Sequence, residues 1–113
     1  MIDGWITQLR KGVLEFCVLT VLSRGESYGY EIVQALKQMD ELAVSESTIY
    51  PILARLRDEK FLKVRDVPSD AGPPRRYFAL TALGKVRLAE MNTYWSLLGQ
   101  ALAQLQPSPR KDA

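Results

Sequence analysis

Between positions 55 and 76 the chain carries seven basic side chains, Arg55, Arg57, Lys60, Lys63, Arg65, Arg75 and Arg76, against four acidic ones, Asp58, Glu59, Asp66 and Asp70. This local balance of +3 exceeds the formal charge of the whole chain, +2, so the remainder is slightly acidic. The chemistry open to such a cluster is attraction of a polyanion, because guanidinium and ammonium groups neutralise phosphates and release their counterions. The interleaved carboxylates leave a second reading, a solvated face of mixed sign.

Catalysis has little to draw on. The 113 residues include no histidine and one cysteine, Cys17. The usual zinc sets, nucleophile triads and the commonest general base are therefore missing. Neither a G-x-G-x-x-G nor a G-x-x-x-x-G-K-[ST] phosphate loop occurs. The acidic pairs Asp40-Glu41 and Asp58-Glu59 read as helix-end charges on solvated faces. Cys17 sits among Val13, Phe16 and Val21 and reads as a buried, inert thiol. No enzyme, metal site or cofactor is expected.

The elements that must position the basic cluster follow from apolar periodicity. From about Trp5 to Ser23, Ile6, Leu9, Val13, Cys17 and Val21 recur at helical steps, with Leu14, Val18 and Leu22 on a neighbouring face. Gly25 closes this first helix where a left-handed cap suits glycine. Ser27 offers a cap for a second helix, with Ile32, Val33, Leu36 and Met39 on one side and Glu31 near the positive end of the helix dipole. Residues 40–44 form a turn, and Ser45 caps a third helix reaching about Lys60. Beyond it the period changes to two: "FLKVRDV" and "RRYFAL" flank "PSDAGPP", which predicts a two-stranded hairpin. Thr81 then caps a last helix, in which Leu88, Met91, Trp95, Leu98, Leu102 and Leu105 step by three and four. That is a heptad seam and predicts dimerisation.

Composition agrees with one domain and an appended helix, since 47% hydrophobic and 25% charged residues are ordinary globular values. The longest apolar run, residues 13–22, is interrupted by Glu15 and Thr20 and is too short to span a bilayer. The start of the chain lacks the layout of a signal peptide, so a cytoplasmic protein away from membranes is expected.

The third helix contains "ESTIYPILARL", with Pro51 inside an apolar stripe of Ile49, Ile52, Leu53 and Leu56. A proline in a helix interior costs roughly 3 kcal/mol. With the stripe facing the core, Ser47, Pro51 and Ala54 centre the outward face, flanked by Thr48, Tyr50, Arg55 and Arg57. A small centre with a polar, basic rim suits a helix that approaches base edges closely. The alternative is a proline that simply marks a helix start.

Three helices followed by a hairpin is the order of a winged helix-turn-helix, with the third helix in the major groove and the hairpin as wing. The fold class is thus mainly α with a small β-hairpin, a winged helix-turn-helix plus a long C-terminal dimerisation helix. Residues 1–80 form the DNA-binding domain, residues 81–106 the dimerisation helix, and residues 107–113 a flexible tail. The competing reading is a winged-helix protein-interaction module whose basic wing meets an acidic partner.

The stretches "LRKGVLEFCVLTVLSRGESYGYEIVQAL", "STIYPILARL" and "GPPRRYFALTALGK" resemble, in order and spacing from about Leu9 to Lys85, the PadR family of bacterial transcriptional regulators. The wing strand departs slightly, with Phe78 where the family has a second tyrosine. The resemblance implies a homodimeric repressor acting on double-stranded DNA at an inverted-repeat operator. The expected DNA-facing set is Tyr28, Ser47, Thr48, Tyr50, Pro51, Arg55, Arg57, Lys63, Arg75 and Arg76. A single helix after the wing is similar to the short-tailed, multidrug-sensing branch, in which paired tryptophans stack a planar apolar effector at the dimer centre. Trp95 is the matching position, with Met91 and Trp5 as pocket walls. The bland alternative for Trp95 is interface core.

Overall fold

The chain turns from helix to sheet at Lys60 and Phe61, where a left-handed residue ends the third helix. The structure, a computed structural model, describes residues 2–107. Its elements are α1 (Ile2–Leu22), β1 (Ser27–Tyr28), α2 (Gly29–Lys37), a single 3₁₀ turn (Asp40–Leu42), α3 (Glu46–Asp58), β2 (Leu62–Val67), β3 (Arg75–Leu80) and α4 (Ala82–Leu105). The tail expected from residue 107 lies, from residue 108 on, outside the described residues.

The core joins every layer. It contains Val18, Leu19 and Leu22 of α1, Ile32, Val33 and Leu36 of α2, Ile49, Leu53 and Leu56 of α3, Phe61, Leu62, Phe78 and Leu80 around the sheet, and Leu88 of α4. Of the two apolar faces on α1, the one through Leu14, Val18 and Leu22 is buried, while Val13, Cys17 and Val21 are half-buried and Leu9 is exposed. Val13 and Phe16 line a groove with α4, and Cys17 and Val21 pack against the core. No helix among the described residues is long and apolar enough to cross a membrane.

The sheet has three strands rather than two, in the order β1-β3-β2. Ser27 and Tyr28 pair antiparallel with Phe78 and Tyr77, so Ser27 is a strand residue and the cap of α2 moves to Tyr28. The open edge of β3 takes the extended backbone that a cap would otherwise use. Glu31 nevertheless serves the helix start, its Oε1 accepting from the Ser27 hydroxyl at 3.0 Å and the Tyr28 N–H at 3.2 Å. Met39 falls outside α2 and is exposed.

Helix α3 begins five residues before Pro51 and runs through it, so the helix-start reading is corrected. The missing N–H would have served the Ser47 carbonyl, which is on an exposed residue open to solvent. Ser45 holds the cap position, and its carbonyl accepts from the Thr48 and Ile49 N–H groups. Its hydroxyl instead meets Ser47 Oγ at 2.9 Å and Thr48 Oγ1 at 3.2 Å. At the other end Lys60 adopts φ 72°, while Lys60 N–H bonds the Arg57 carbonyl and Phe61 N–H the Leu56 carbonyl, both at 2.9 Å. This is a Schellman closure in which Phe61 and Leu56 supply the accompanying apolar contact.

Thr81 fastens the start of α4 to that closure. Its Oγ1 accepts from Gly84 N–H at 2.9 Å and donates to the Lys60 carbonyl at 2.7 Å. Gly84 lies so close that an added Cβ would overlap the Phe61 carbonyl. Beyond Leu88 the helix leaves the core, and Trp95, Leu98, Leu102 and Leu105 are exposed, the last at 81%.

Candidate nucleic-acid interface

Strand β3 carries the wing arginines that face α3. Phe78 is buried against the core, and Arg76, two residues earlier, shares its face. Arg75 and Arg76 line a cleft of about 520 Å³ with Pro73, Pro74, Ser69 and Ala71 of the wing tip. Tyr50, Ala54 and Arg57 of α3 form the opposite wall, and Tyr28, Gly29 and Tyr30 its end. Gly29 is what lets α2 and α3 close together here, because a Cβ would come within 2.7 Å of Tyr50 Cε1. Tyr50 is thereby seated with its ring against the start of α2.

Aromatic rings and carboxylates orient the cations. The Arg75 guanidinium lies 4.8 Å from the centre of the Tyr28 ring, and Tyr28 packs on Tyr77 at 5.4 Å and on Tyr30 at 6.4 Å. Arg57 hydrogen-bonds Asp58 at 3.1 and 3.2 Å, and Arg76 reaches Asp66 at 3.4 Å. These pairs are solvent-exposed and hold weakly, so an incoming phosphate can compete for either guanidinium. Burial, aided by the Glu46 carboxylate, pushes the Tyr50 phenol above its ordinary value. Its hydroxyl can both donate and accept.

A second concavity, about 420 Å³, lies between α1 and α4 and is lined by Leu9, Val13, Phe16, Met91, Tyr94, Trp95 and Leu98, among others. Trp95 meets Phe16 edge-on at 5.9 Å with 63° between the rings, yet remains half exposed. Trp5, one turn before Leu9, does not line this groove and is 62% exposed. Gly99 faces open space, with nothing within 4 Å of an added Cβ. Cys17 is half-buried, and desolvation raises its thiol pKa, which disfavours the nucleophilic thiolate.

The model of the PadR-like family of transcriptional regulators matches residues 18–90. The chain belongs to the PadR-like family. Among solved structures, a PadR-like transcriptional regulator from Bacillus cereus superposes with a TM-score of 0.77 at 36% identity, over 89% of this chain and 99% of that one. Bacillus subtilis PadR in complex with operator DNA superposes with a TM-score of 0.64 at 27% identity, over 83% of this chain and 59% of that one. The negative transcriptional regulator PadR of Bacillus subtilis is 34% identical over 80 residues, which span 67% of this chain and 43% of that protein. The family is one of transcriptional regulators, not of enzymes.

Within this PadR-like chain the structure gathers only part of the expected DNA-facing set. Tyr28, Tyr50, Arg57, Arg75 and Arg76 share the cleft, and Ser47 and Pro51 are exposed on the adjoining outward face of α3. Arg55 is elsewhere: it bridges Glu15 of α1 at 3.0 Å and Glu59 at 3.3 Å, and the Glu15 hydrogen bond raises its pKa further. It is a helix-to-helix tie. Lys63 is also set apart, because its partner in register is Ala79 and it lines a different hollow with Leu22, Glu26 and Lys85. Leu88 is corrected as well, since at 8% exposure it belongs to the chain's own core and not to an outer seam. Tyr30, Pro73 and Pro74 join the cleft although their types did not single them out, and the motif "GPPRRY" is the sequence signal that carries the two prolines.

Proposed function

We propose that this PadR-like regulator binds double-stranded operator DNA as a homodimer and represses transcription until a planar apolar effector releases it. The observation that carries the DNA contact is the cleft between α3 and the wing, where Arg57, Arg75 and Arg76 surround the seated Tyr50. With α3 in the major groove, Ser47, Thr48, Tyr50 and Pro51 approach base edges, and the wing arginines hold the neighbouring backbone. Bacillus subtilis PadR, which shares the fold, is known in complex with operator DNA, and this supports the DNA-binding reading.

Dimerisation is supported by the uncovered apolar row of α4. Trp95, Leu98, Leu102 and Leu105 repeat at heptad spacing and stay exposed among the described residues. Residues 1–80 then act as the DNA-binding unit and residues 81–106 as the dimerisation helix, the first two turns of which are anchored in the core. Two-fold symmetry makes the preferred operator an inverted repeat with half-sites about one helical turn apart, or a multiple of it. Such a regulator works in the cytoplasm.

An effector site is supported by Trp95, a half-exposed indole beside Met91 in the groove between α1 and α4, with open space at Gly99 one turn on. A flat apolar molecule stacked there changes DNA affinity by its differential affinity for the two states of the dimer. Gel shift with the DNA upstream of the protein's own gene tests the regulator reading. Binding supports it, whereas capture of an acidic protein without DNA binding favours an interaction module. Titration of planar dyes against a Trp5→Phe protein tests the effector. Quenching of Trp95 is expected, and the absence of quenching at micromolar dye assigns the indole to interface core.

A further inference from the structure

The wing accounts for only one flank of α3. Tyr50 and Arg57 lie on that flank, and Thr48 and Arg55 lie roughly 140–160° around the helix from Tyr50, on the flank facing α1. There Thr48 lines a hollow of about 350 Å³ with Thr7, Arg10 and Lys11 of α1 and with Leu42 and Ala43 from the turn before α3. Neither Arg10 nor Lys11 takes part in an ion pair among the described residues. We infer that Arg10 and Lys11 form a second phosphate-binding edge, which holds the strand of the operator on the opposite side of the recognition helix from the wing.

The inference rests on the DNA-binding reading above and adds residues to it. A B-form major groove is about 12 Å wide, and a helix with its side chains is about 10–12 Å across. A helix seated in it therefore has a phosphate ribbon along each flank. Arg57, Arg75 and Arg76 serve one ribbon, and the residues of the opposite flank must serve the other. Arg55 is drawn inward instead, since it bridges to Glu15 of α1, whose side chain is only 16% exposed.

That same pair explains the placement of the cations. Glu15 sits about one turn after Arg10 and Lys11 on α1, and Arg55 two turns after Thr48 on α3. The Glu15–Arg55 bridge thus fixes α1 against α3 in the register that brings Arg10 and Lys11 beside Thr48. The acidic groups nearby do not oppose a phosphate in the hollow. Glu15 is paired, Glu46 acts on Tyr50 at the other flank, and Asp3, one turn before Thr7, does not line the hollow, nor do Asp40 and Glu41.

The test is ethylation interference and salt-dependent binding with the full-length protein. It uses the upstream duplex, wild type, an Arg10→Ala/Lys11→Ala variant and an Arg10→Lys/Lys11→Arg variant. The alanine variant is expected to melt like wild type, to bind more weakly on every sequence, and to flatten the salt slope by roughly 0.9 for each phosphate it no longer neutralises. The phosphates whose ethylation no longer matters should lie on the strand opposite those released in an Arg75→Ala/Arg76→Ala variant. The charge-keeping swap should retain most of the slope. A wild-type slope and interference pattern in the alanine variant overturns the inference while leaving the regulator reading intact. Failure of the wild type to bind any duplex overturns both.

Discussion

Glu26 and Arg65 are joined by two parallel hydrogen bonds, Arg65 Nε to Oε2 at 2.7 Å and Nη2 to Oε1 at 2.6 Å. The pair ties the loop after α1 to the middle of β2, across 39 residues of sequence. Arg65 also lies over the Tyr77 ring at 5.4 Å, so one guanidinium links the loop, the wing and the tyrosine that packs on Tyr28. One of the seven basic residues of the cluster is thus used to orient the wing, and the charge left for a polyanion is smaller than the sequence suggests.

That pair should make wing stability modestly pH-dependent, since both side chains are partly open to solvent. The hydrogen bond from Arg65 holds the Glu26 carboxyl below its ordinary value of 4.5. A carboxyl with a lowered folded pKa stabilises the fold above its unfolded value and ceases to do so as pH falls through the folded one. The melting temperature of wild type should therefore exceed that of Glu26→Gln at neutral pH, and the gap should close in acid below 4.5. A gap that persists in strong acid would show that the amide perturbs the loop by some other route.

Gly84→Ala should destabilise the fold. Alanine ordinarily favours a helix over glycine by up to about 1 kcal/mol. Here the Cβ would overlap the Phe61 carbonyl, which is backbone held by the Thr81 N–H and cannot rotate away. Overpacking of this kind costs about 1–3 kcal/mol, so the clash outweighs the helix preference. Urea unfolding measures it, and an unchanged or raised midpoint would mean that the joint between α3 and α4 yields easily.

The helices were legible because their signals are local. Thr81 announces α4 through a cap bond only three residues long, and the Ile49, Leu53, Leu56 stripe needs one period to be read. What escaped depends on distant partners. β1 is two residues with no period of its own, and it exists because β3 offers an edge 49 to 51 positions later. Arg55 and Arg57 look alike in sequence, yet only Arg55 meets Glu15, which is 40 residues away. Leu88 keeps heptad spacing with Trp95, and spacing alone cannot say whether a side chain is covered by its own chain or by a second copy. Arg10 and Lys11 stand far in sequence from the basic cluster and reach α3 from the other side of the fold.

Placing glutamate at both Leu98 and Leu102 should prevent the proposed dimerisation. Both residues are exposed in the single chain, so the substitutions leave its core untouched. Analytical ultracentrifugation should report a monomer with an unchanged far-ultraviolet circular dichroism melt, and operator binding should weaken because each monomer engages only one half-site. A dimer that survives both charges would move the interface away from this face of α4.

Salt dependence of binding tests most directly whether the cleft between α3 and the wing is the surface that holds DNA. With duplex from the upstream region of its own gene, wild-type affinity should fall linearly in log[salt]. Replacing Arg75 and Arg76 with alanine should flatten that line by roughly 0.9 for each phosphate no longer neutralised, with similar weakening on all sequences. Wild-type affinity that ignores salt, or an alanine variant with the wild-type slope, would contradict DNA binding through the α3–wing surface.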